Sequence, residues 1–210
     1  MSITTFLIDL DDTIYPPSSG IWTLIGKRID LFIRNHLQVE WSEIPTLRQN
    51  LFNKYGTTMR GLISIYHIDA EEYLKFVHDV PIEDLISPDP KLNSLLTAYS
   101  QLKVIFTNSD ERHARRVLRA MKLEDIFENI IDIHQISPYC KPQPEAYGLA
   151  LKVLRDSMPQ DILVIDDSPP NLVTANSLGF HTALVGSKPT EPGIEYVIPS
   201  LHELRKIIPA

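Results

Sequence analysis

The chain is poor in cysteine, in basic residues and in long apolar runs, and each shortage excludes a class of protein. A single cysteine, Cys140, rules out an internal disulfide and is typical of a reducing compartment. Lys and Arg number 20 against 27 Asp and Glu, and the net charge of −7 disfavours a binder of polymeric nucleic acid. The first residues carry no basic leader, and no apolar run approaches the roughly 20 residues that a membrane span needs. We therefore expect a cytoplasmic protein that binds neither polymeric nucleic acid nor membrane.

Internal repeats, low-complexity segments and histidines at metal-ligand spacing are also missing. We therefore treat the seven histidines as structural or surface groups. Hydrophobic residues make up 43% of the chain and charged residues 22%, which indicates a soluble globular protein. The length of 210 residues fits one domain, or one domain that carries an insertion. The negative charge does not exclude an anionic substrate, since a bound cation can reverse the local field.

Short apolar runs alternate with helical patterns over most of the chain. The first run, residues 3–10, ends in acidic residues. The alternation predicts an α/β fold: a doubly wound, Rossmann-like core in which helices cover both faces of a parallel sheet. Further predicted strands are 102–107, 130–133, 162–165, 182–185 and 195–198, and the predicted helices are 110–121, 144–154, 170–178 and 201–208. Ligands of such sheets bind beyond the carboxyl ends of the strands, so polar residues there are candidate site residues.

The stretch 16–88 breaks this alternation and has a helical pattern throughout. Its first helix is predicted to bury one broad apolar face, formed by Ile21, Ile25, Ile29, Phe32 and Ile33. We also expect Trp22 to belong to the core of this segment. The predicted domains are therefore an α/β core of residues 1–15 and 89–210, and a helical cap of residues 16–88 inserted after the first strand.

The most informative polar cluster is Asp9-Leu10-Asp11-Asp12-Thr13, directly after the first predicted strand. Residues two apart in an extended segment point the same way, so Asp9 and Asp11 are expected to face one site. One carboxylate can attack phosphorus, and a second can transfer the proton. Mg²⁺ bound by these oxygens would neutralise charge on nucleophile and phosphate. The competing interpretation is an acidic turn that caps a helix, but an apolar strand leads straight into the cluster.

Three further clusters follow other predicted strands or begin helices. Thr107-Asn108-Ser109 offers hydroxyls and backbone N–H groups to a phosphate, although such residues are also ordinary helix caps. Lys141, flanked by prolines, can pair with phosphate and with a carboxylate, or can be a solvated surface lysine. Asp166-Asp167 ends a strand, where adjacent acids are unfavourable unless they bind a cation or cap the next helix.

Taken in order, these clusters resemble the haloacid dehalogenase-like hydrolase superfamily. The matching positions are Asp9-x-Asp11-x-Thr13, Thr107 with Asn108, Lys141, and Asp166-Asp167. The resemblance implies a doubly wound core with a helical cap inserted after the first motif. It implies Asp9 as nucleophile, Asp11 as general acid/base, Thr107 as phosphate ligand and Lys141 as charge clamp. The implied Mg²⁺ ligands are Asp9, the backbone carbonyl of Asp11 and Asp167, with Asp166 as a ligand or a support.

A closer resemblance concerns the substrate. The segments DDTIYPPSSGIW, KYGTTMRGL and ISPDPKL are similar to the pyrimidine 5′-nucleotidase branch of the superfamily. This resemblance implies a phosphomonoesterase that acts on a small phosphorylated metabolite, a pyrimidine nucleoside 5′-monophosphate. The alternative is a small sugar phosphate or phosphoglycolate with the same chemistry. Candidate substrate-binding residues are Asn108, Ser109, Tyr15, Ser19 and Arg60. We expect a monomer or a weak homo-oligomer.

Other functions fit the sequence less well. Dehalogenation is disfavoured because Asp11 is the acid/base group that phosphate-ester cleavage needs. In a phospho-accepting receiver the acidic pair precedes the phosphorylated aspartate, whereas the pair Asp166-Asp167 here follows Lys141. A catalytically silent phosphate-binding protein would not need the complete set of catalytic groups.

Overall fold

The computed structural model describes residues 3–155, 157–187 and 192–209. The chain forms two compact units, one comprising Met1–Ser18 with Ile86–Ala210 and the other comprising Ser19–Leu85. Among the described residues, none of the helices combines the length and the hydrophobicity that a bilayer span requires.

The unit Ser19–Leu85 is built from helices packed through apolar faces. Its helices are α1 (Ile21–Leu37), α2 (Ile44–Tyr55), α3 (Thr58–Tyr66), α4 (Ala70–Val77) and α5 (Ile82–Leu85). The side chain of Thr57 caps α3 and that of Asp69 caps α4, since each accepts a bond from a backbone N–H of the first turn. Phe32 on α1 contacts Tyr73 on α4 with ring centroids 5.0 Å apart, so aromatic packing joins these helices.

The apolar face predicted for α1 is confirmed, because all five of its residues are buried. The prediction for Trp22 was wrong: this residue is 49% exposed. Trp22 follows Ile21, and successive residues of a helix point about 100° apart, which turns the indole away from the buried stripe.

The other unit is a six-stranded parallel sheet with the strand order β3-β2-β1-β4-β5-β6. The strands are β1 (Thr5–Ile8), β2 (Leu102–Phe106), β3 (Asn129–Ile131), β4 (Ile162–Asp166), β5 (His181–Val185) and β6 (Tyr196–Ile198). Nearly every residue of β1, β2, β4 and β5 is buried, as expected when helices cover both faces of a sheet. The predicted doubly wound α/β fold is therefore confirmed, and its strand order reverses between β1 and β4.

The α-helices of this unit are α6 (Pro90–Thr97), α7 (Glu111–Ala120), α8 (Pro144–Leu154) and α9 (Pro169–Ser177). Helix α6 was not predicted from the sequence, because proline commonly marks a turn or a loop. Pro90 instead lies in the first turn, where its missing N–H needs no partner, and the side chain of Asp89 caps the helix. The segment 201–208 was predicted as an α-helix, but Leu201–Lys206 is a 3-10 helix.

The close packing of α2 against α3 yields a stability prediction. A Cβ at Gly61 would lie 2.7 Å from Cδ2 and 2.8 Å from Cβ of Leu51, whereas a Cβ at Gly26 would meet nothing closer than 3.9 Å. Overpacking costs about 1–3 kcal/mol and outweighs the ~0.5–1 kcal/mol that alanine gains over glycine in a helix. We expect Gly61→Ala to lower the melting temperature and the control Gly26→Ala to raise it slightly. Equal melting temperatures for the two variants would contradict the packing described here.

Candidate functional site

The polar groups of the candidate site meet at the carboxyl edge of the sheet, where the strand order reverses. In the register of β1 and β4, Ile8 lies beside Ile165, so that Asp9 follows β1 at the level where Asp166 ends β4. The backbone N–H of Asp9 donates to the carbonyl of Ile165 over 2.8 Å, which extends the strand pairing to the nucleophile candidate. Ligands of open α/β sheets bind at such a reversal.

The ammonium group of Lys141 lies inside this edge and is almost fully buried. Its Nζ donates to Oδ1 of Asp9 over 2.7 Å, to Oδ2 of Asp166 over 2.8 Å and to the carbonyl of Phe106 over 2.7 Å. A lysine has three N–H donors, so each of them has an acceptor. Burial alone would lower the pKa of Lys141, but the charges of Asp166 and Asp9 outweigh it and raise the pKa above its ordinary value.

The loop that carries Lys141 is fastened to the residue after Thr107. Nδ2 of Asn108 donates to the carbonyl of Lys141 over 2.9 Å, and the backbone N–H of Lys141 donates to Oδ1 of Asn108 over 2.9 Å. The amide of Asn108, predicted to bind substrate, is thus engaged on both of its atoms with the lysine backbone. Each of these atoms can still make one further hydrogen bond, but the two bonds to Lys141 set the position of the side chain.

Asp9, Asp166 and Asp167 form an acidic group with the chemistry of a divalent-cation site. One carboxylate oxygen from each residue lies within 4.8 Å of the others. Burial raises the pKa of Asp9 well above its ordinary value, and repulsion from Asp166 and Asp167 adds to the rise, although Lys141 opposes it. Because carboxylate oxygens are the ligands that Mg²⁺ prefers, and a cation would keep Asp9 ionised, this donor set fits the ion.

Both carboxylate oxygens of Asp166, the first of the two adjacent acids, accept hydrogen bonds from the protein. Oδ1 of Asp166 accepts from the backbone N–H of Ser168 over 2.8 Å and from Asn171 over 3.0 Å. Its Oδ2 accepts from Lys141 over 2.8 Å and from Asn171 over 3.0 Å. Asn171, on α9, thus contacts both oxygens of Asp166 and holds the orientation of its carboxylate.

Asp11 lies outside this acidic group of the described residues and has its own set of donors. Oδ1 of Asp11 accepts from the hydroxyl of Tyr15 over 2.5 Å and is 2.7 Å from Nε2 of His113. Its Oδ2 accepts from the hydroxyl of Ser109 over 2.6 Å. Burial by itself would raise the pKa of Asp11, but the His113 charge and the three hydrogen bonds outweigh it and hold the pKa well below its usual range.

Tyr15 and Ser109, predicted to bind substrate, therefore use their hydroxyls on Asp11. Tyr15 is buried at 1% exposure. Thr107 is also buried, and its Oγ1 accepts from the backbone N–H of Ser109 over 3.0 Å. The remaining predicted residues, Ser19 and Arg60, belong to the helical unit, where Oγ of Ser19 accepts from the N–H of Ile21 over 3.3 Å and Arg60 is half-buried on α3.

Sequence reasoning assigned no role to two side chains that contact the candidate catalytic acids, although it named one of them, Thr13, in the first motif. The hydroxyl of Thr13 donates to Oδ2 of Asp9 over 3.0 Å. His113 was treated as a structural or surface group because the histidines lack metal-ligand spacing, yet it contacts Asp11. The available signal was its place four residues after Ser109, on the buried face of a helix that begins beside a polar strand end.

Comparison with known proteins identifies one family. A family model described as haloacid dehalogenase-like hydrolase matches residues 3–179. The crystal structure of the HAD-hydrolase YfnB from Bacillus subtilis, bound to magnesium, superposes with a TM-score of 0.68 at 20% sequence identity and covers 100% of both chains. At this identity the likeness concerns the fold.

Two relatives are similar in sequence. Phosphate metabolism protein 8 of Saccharomyces cerevisiae is 29% identical over 189 residues, which are 83% of this chain and 59% of that protein. The chain thus spans little more than half the length of the yeast relative. Pyrophosphatase PpaX of Bacillus cereus is 22% identical over 185 residues, which are 88% of this chain and 84% of that protein.

The family model covers most of the sheet unit and the entire helical insertion, and the strand order agrees with the doubly wound core that the resemblance implied. The chain belongs to the haloacid dehalogenase-like hydrolase family.

Proposed function

We propose that the protein is a magnesium-dependent phosphomonoesterase that forms an aspartyl phosphate, an acyl phosphate, on Asp9. The observation that carries this proposal is the ammonium of Lys141 bonded to both Asp9 and Asp166 at the reversal point of the sheet. Lys141 offsets the charges of these two carboxylates, and a divalent cation bound beside them would supply the further positive charge that a phosphate requires. The names of the two relatives, a phosphate metabolism protein and a pyrophosphatase, support phosphate chemistry.

In the first step a carboxylate oxygen of Asp9 attacks the phosphorus atom of the ester. The new oxygen–phosphorus bond forms as the bond to the leaving oxygen breaks, and that oxygen takes a proton from the protonated carboxyl of Asp11. Lys141 holds Oδ1 of Asp9 and Thr13 holds Oδ2, so the nucleophile is fixed before the substrate arrives. Thr107, with the backbone N–H groups that follow β2, binds the phosphoryl oxygens.

In the second step a water molecule attacks phosphorus and releases inorganic phosphate from Asp9. Asp11 now takes the proton from water, so it must be ionised at this stage. The hydrogen bonds from Tyr15, Ser109 and His113 favour that ionised form. For the first step Asp11 must carry a proton, which requires at least one of these contacts to lengthen when substrate is bound.

Asp9 and Asp167 would bind Mg²⁺ together with the backbone carbonyl of Asp11, and Asp166 would support them. A bound Mg²⁺ supplies positive charge that offsets the repulsion between the carboxylates and the phosphate. We assign the supporting role to Asp166 because both of its oxygens already accept hydrogen bonds from Lys141, Asn171 and the Ser168 backbone.

The substrate that we propose is a pyrimidine nucleoside 5′-monophosphate. The groups at the sheet edge are suited to binding phosphate and a cation, so they do not discriminate between different sugars or bases. The helical unit Ser19–Leu85, inserted soon after Asp9 in the chain, is the natural carrier of that selectivity as a cap. Within it, Ser19 and Arg60 offer polar contacts to a sugar or a base. A small sugar phosphate or phosphoglycolate is the alternative substrate. The name of the Bacillus cereus relative makes pyrophosphate a further candidate.

Asp9→Asn should abolish turnover of phosphate esters without lowering the melting temperature by more than a few degrees. The amide is a poor nucleophile, so no aspartyl phosphate forms at position 9. Rapid acid quench of the wild-type enzyme with ³²P-labelled substrate should trap label on the protein, and the variant should trap none. Asp161→Asn, at the opposite end of β4, is the matched control and should retain both turnover and label. Labelled protein in the Asp9→Asn variant would exclude Asp9 as the nucleophile.

Removal of divalent cations should eliminate activity, and added Mg²⁺ should restore it, because the single charge of Lys141 cannot offset three clustered carboxylates and a phosphate. Asp167→Ala should weaken Mg²⁺ binding, measured by calorimetry, by more than tenfold, a loss typical of removing a group that binds or orients a metal. The neighbouring Ser168→Ala is the control and should bind Mg²⁺ normally, since the Ser168 side chain makes no capping bond to α9. Full turnover after exhaustive chelation would contradict the metal requirement.

A substrate panel tests selectivity through kcat/KM for UMP, CMP, AMP, GMP, phosphoglycolate, a hexose phosphate and pyrophosphate. We expect UMP and CMP to be hydrolysed best. Arg60→Ala should raise KM for the best nucleotide and leave 4-nitrophenyl phosphate almost unaffected, because only the nucleotide carries groups for Arg60 to contact. A preference of more than tenfold for phosphoglycolate, a hexose phosphate or pyrophosphate would reject the nucleotidase proposal and leave the phosphatase chemistry in place.

A further inference from the structure

The carboxyl group of Asp11 is held by three side chains, which we call the Asp11 clamp: Tyr15, Ser109 and His113. They bond both of its oxygens at 2.5 to 2.7 Å. The side chain of Asp11 is 12% exposed and that of His113 is fully buried. A carboxyl bound on both oxygens cannot rotate about its last bond without breaking contacts, so the clamp selects one orientation.

His113 is the member of the clamp that lies farthest along the chain, and the helix that carries it is held at its start by several hydrogen bonds. It lies in the first turn of α7, where its backbone N–H donates to Oδ1 of Asp110 over 2.7 Å. The start of α7 is fastened again by the buried carboxylate of Asp132, which accepts from the backbone N–H of Glu111 over 3.0 Å. The carbonyl of Ser109 accepts from the N–H of Ile133 over 3.1 Å. The imidazole therefore has little freedom to follow Asp11 if that residue moves.

We propose that His113 is a positioning residue that aligns the carboxyl of Asp11 for proton transfer to the leaving oxygen. The inference rests on the proposed phosphatase function and on the acid/base role of Asp11 within it. His113 acts through Asp11 and does not touch the phosphate. Its loss should leave nucleophilic attack by Asp9 intact while it misaligns the proton donor.

The leaving group separates this role from a structural one. An alkoxide leaving group is strongly basic and needs a proton as it departs, whereas 4-nitrophenolate departs without one. The value of kcat/KM includes only the steps up to the first irreversible one, which is transfer of the phosphoryl group to Asp9. A misaligned Asp11 therefore lowers kcat/KM for an alkyl phosphate and spares 4-nitrophenyl phosphate.

The experiment compares His113→Phe, which keeps a planar ring but has no donor, with His113→Gln, whose amide N–H can replace Nε2–H. For the alkyl ester that the wild type hydrolyses fastest in the substrate panel, kcat/KM should fall about 10–100-fold in His113→Phe. For 4-nitrophenyl phosphate it should fall less than about threefold. His113→Gln should recover most of the loss on the alkyl ester. If the phenylalanine variant does not fold, His113→Asn, whose shorter amide does not reach Asp11, replaces it.

Two controls separate positioning from stability. Val117→Ala removes a buried side chain one turn farther along the same face of α7, and should lower the melting temperature without changing the ratio of the two esters. In an Asp11→Asn background, adding His113→Phe should change kcat/KM for the alkyl ester less than about twofold, because the group through which His113 acts is gone.

Equal losses on both esters, or a full additional loss in the Asp11→Asn background, would overturn the positioning role while leaving the phosphatase function standing. A wild-type protein that hydrolyses neither ester would instead overturn the proposed function.

Discussion

The buried ammonium of Lys141 is the interaction on which the rest of the site depends. Asp9, Asp166 and Asp167 lie within a few ångströms of one another at the carboxyl edge of the sheet, where their charges repel and burial removes water. Lys141 bonds two of them and the carbonyl of Phe106. Removing one partner from such a buried pair is strongly destabilising, because it leaves an uncompensated buried charge. The same requirement for positive charge gives the cluster the chemistry of a divalent-cation site.

The fold supplies this arrangement through the register of two neighbouring strands and through one lysine that extends from a loop. Residues that follow β1 and residues that end β4 lie at the same level because the strands are parallel and in register. Lys141 comes from a loop, which by itself would not hold a side chain in place. Asn108 corrects this by bonding both backbone polar groups of Lys141, so that the loop is tied to the end of β2. A loop residue thereby acquires the fixed position of a residue on a strand.

The acids are held by different partners, and this separates their chemistry. Asp9 accepts hydrogen bonds from the ammonium of Lys141 and from the hydroxyl of Thr13, and burial among like charges raises its pKa. Asp11, two residues later, faces hydroxyls and an imidazole that lower its pKa. The pKa values of these two neighbouring carboxyls are therefore shifted in opposite directions by their surroundings. Asp166 is the third case, a carboxyl whose two oxygens accept hydrogen bonds from Lys141, Asn171 and the backbone of Ser168.

The sequence by itself determined the α/β fold and the order of the polar clusters, because hydrophobic period and the place of acids after apolar runs are local properties. It identified Asp9 and Lys141 separately, but only the tertiary structure decided that they are bonded, since they are 132 positions apart along the chain. It could not show that the amide of Asn108 serves the backbone of Lys141, or that His113 reaches Asp11, because both contacts depend on where one packed element lies against another. The prediction that Trp22 is buried was wrong for the same reason: its residue type favours burial, but the direction of its side chain on α1 decided its exposure.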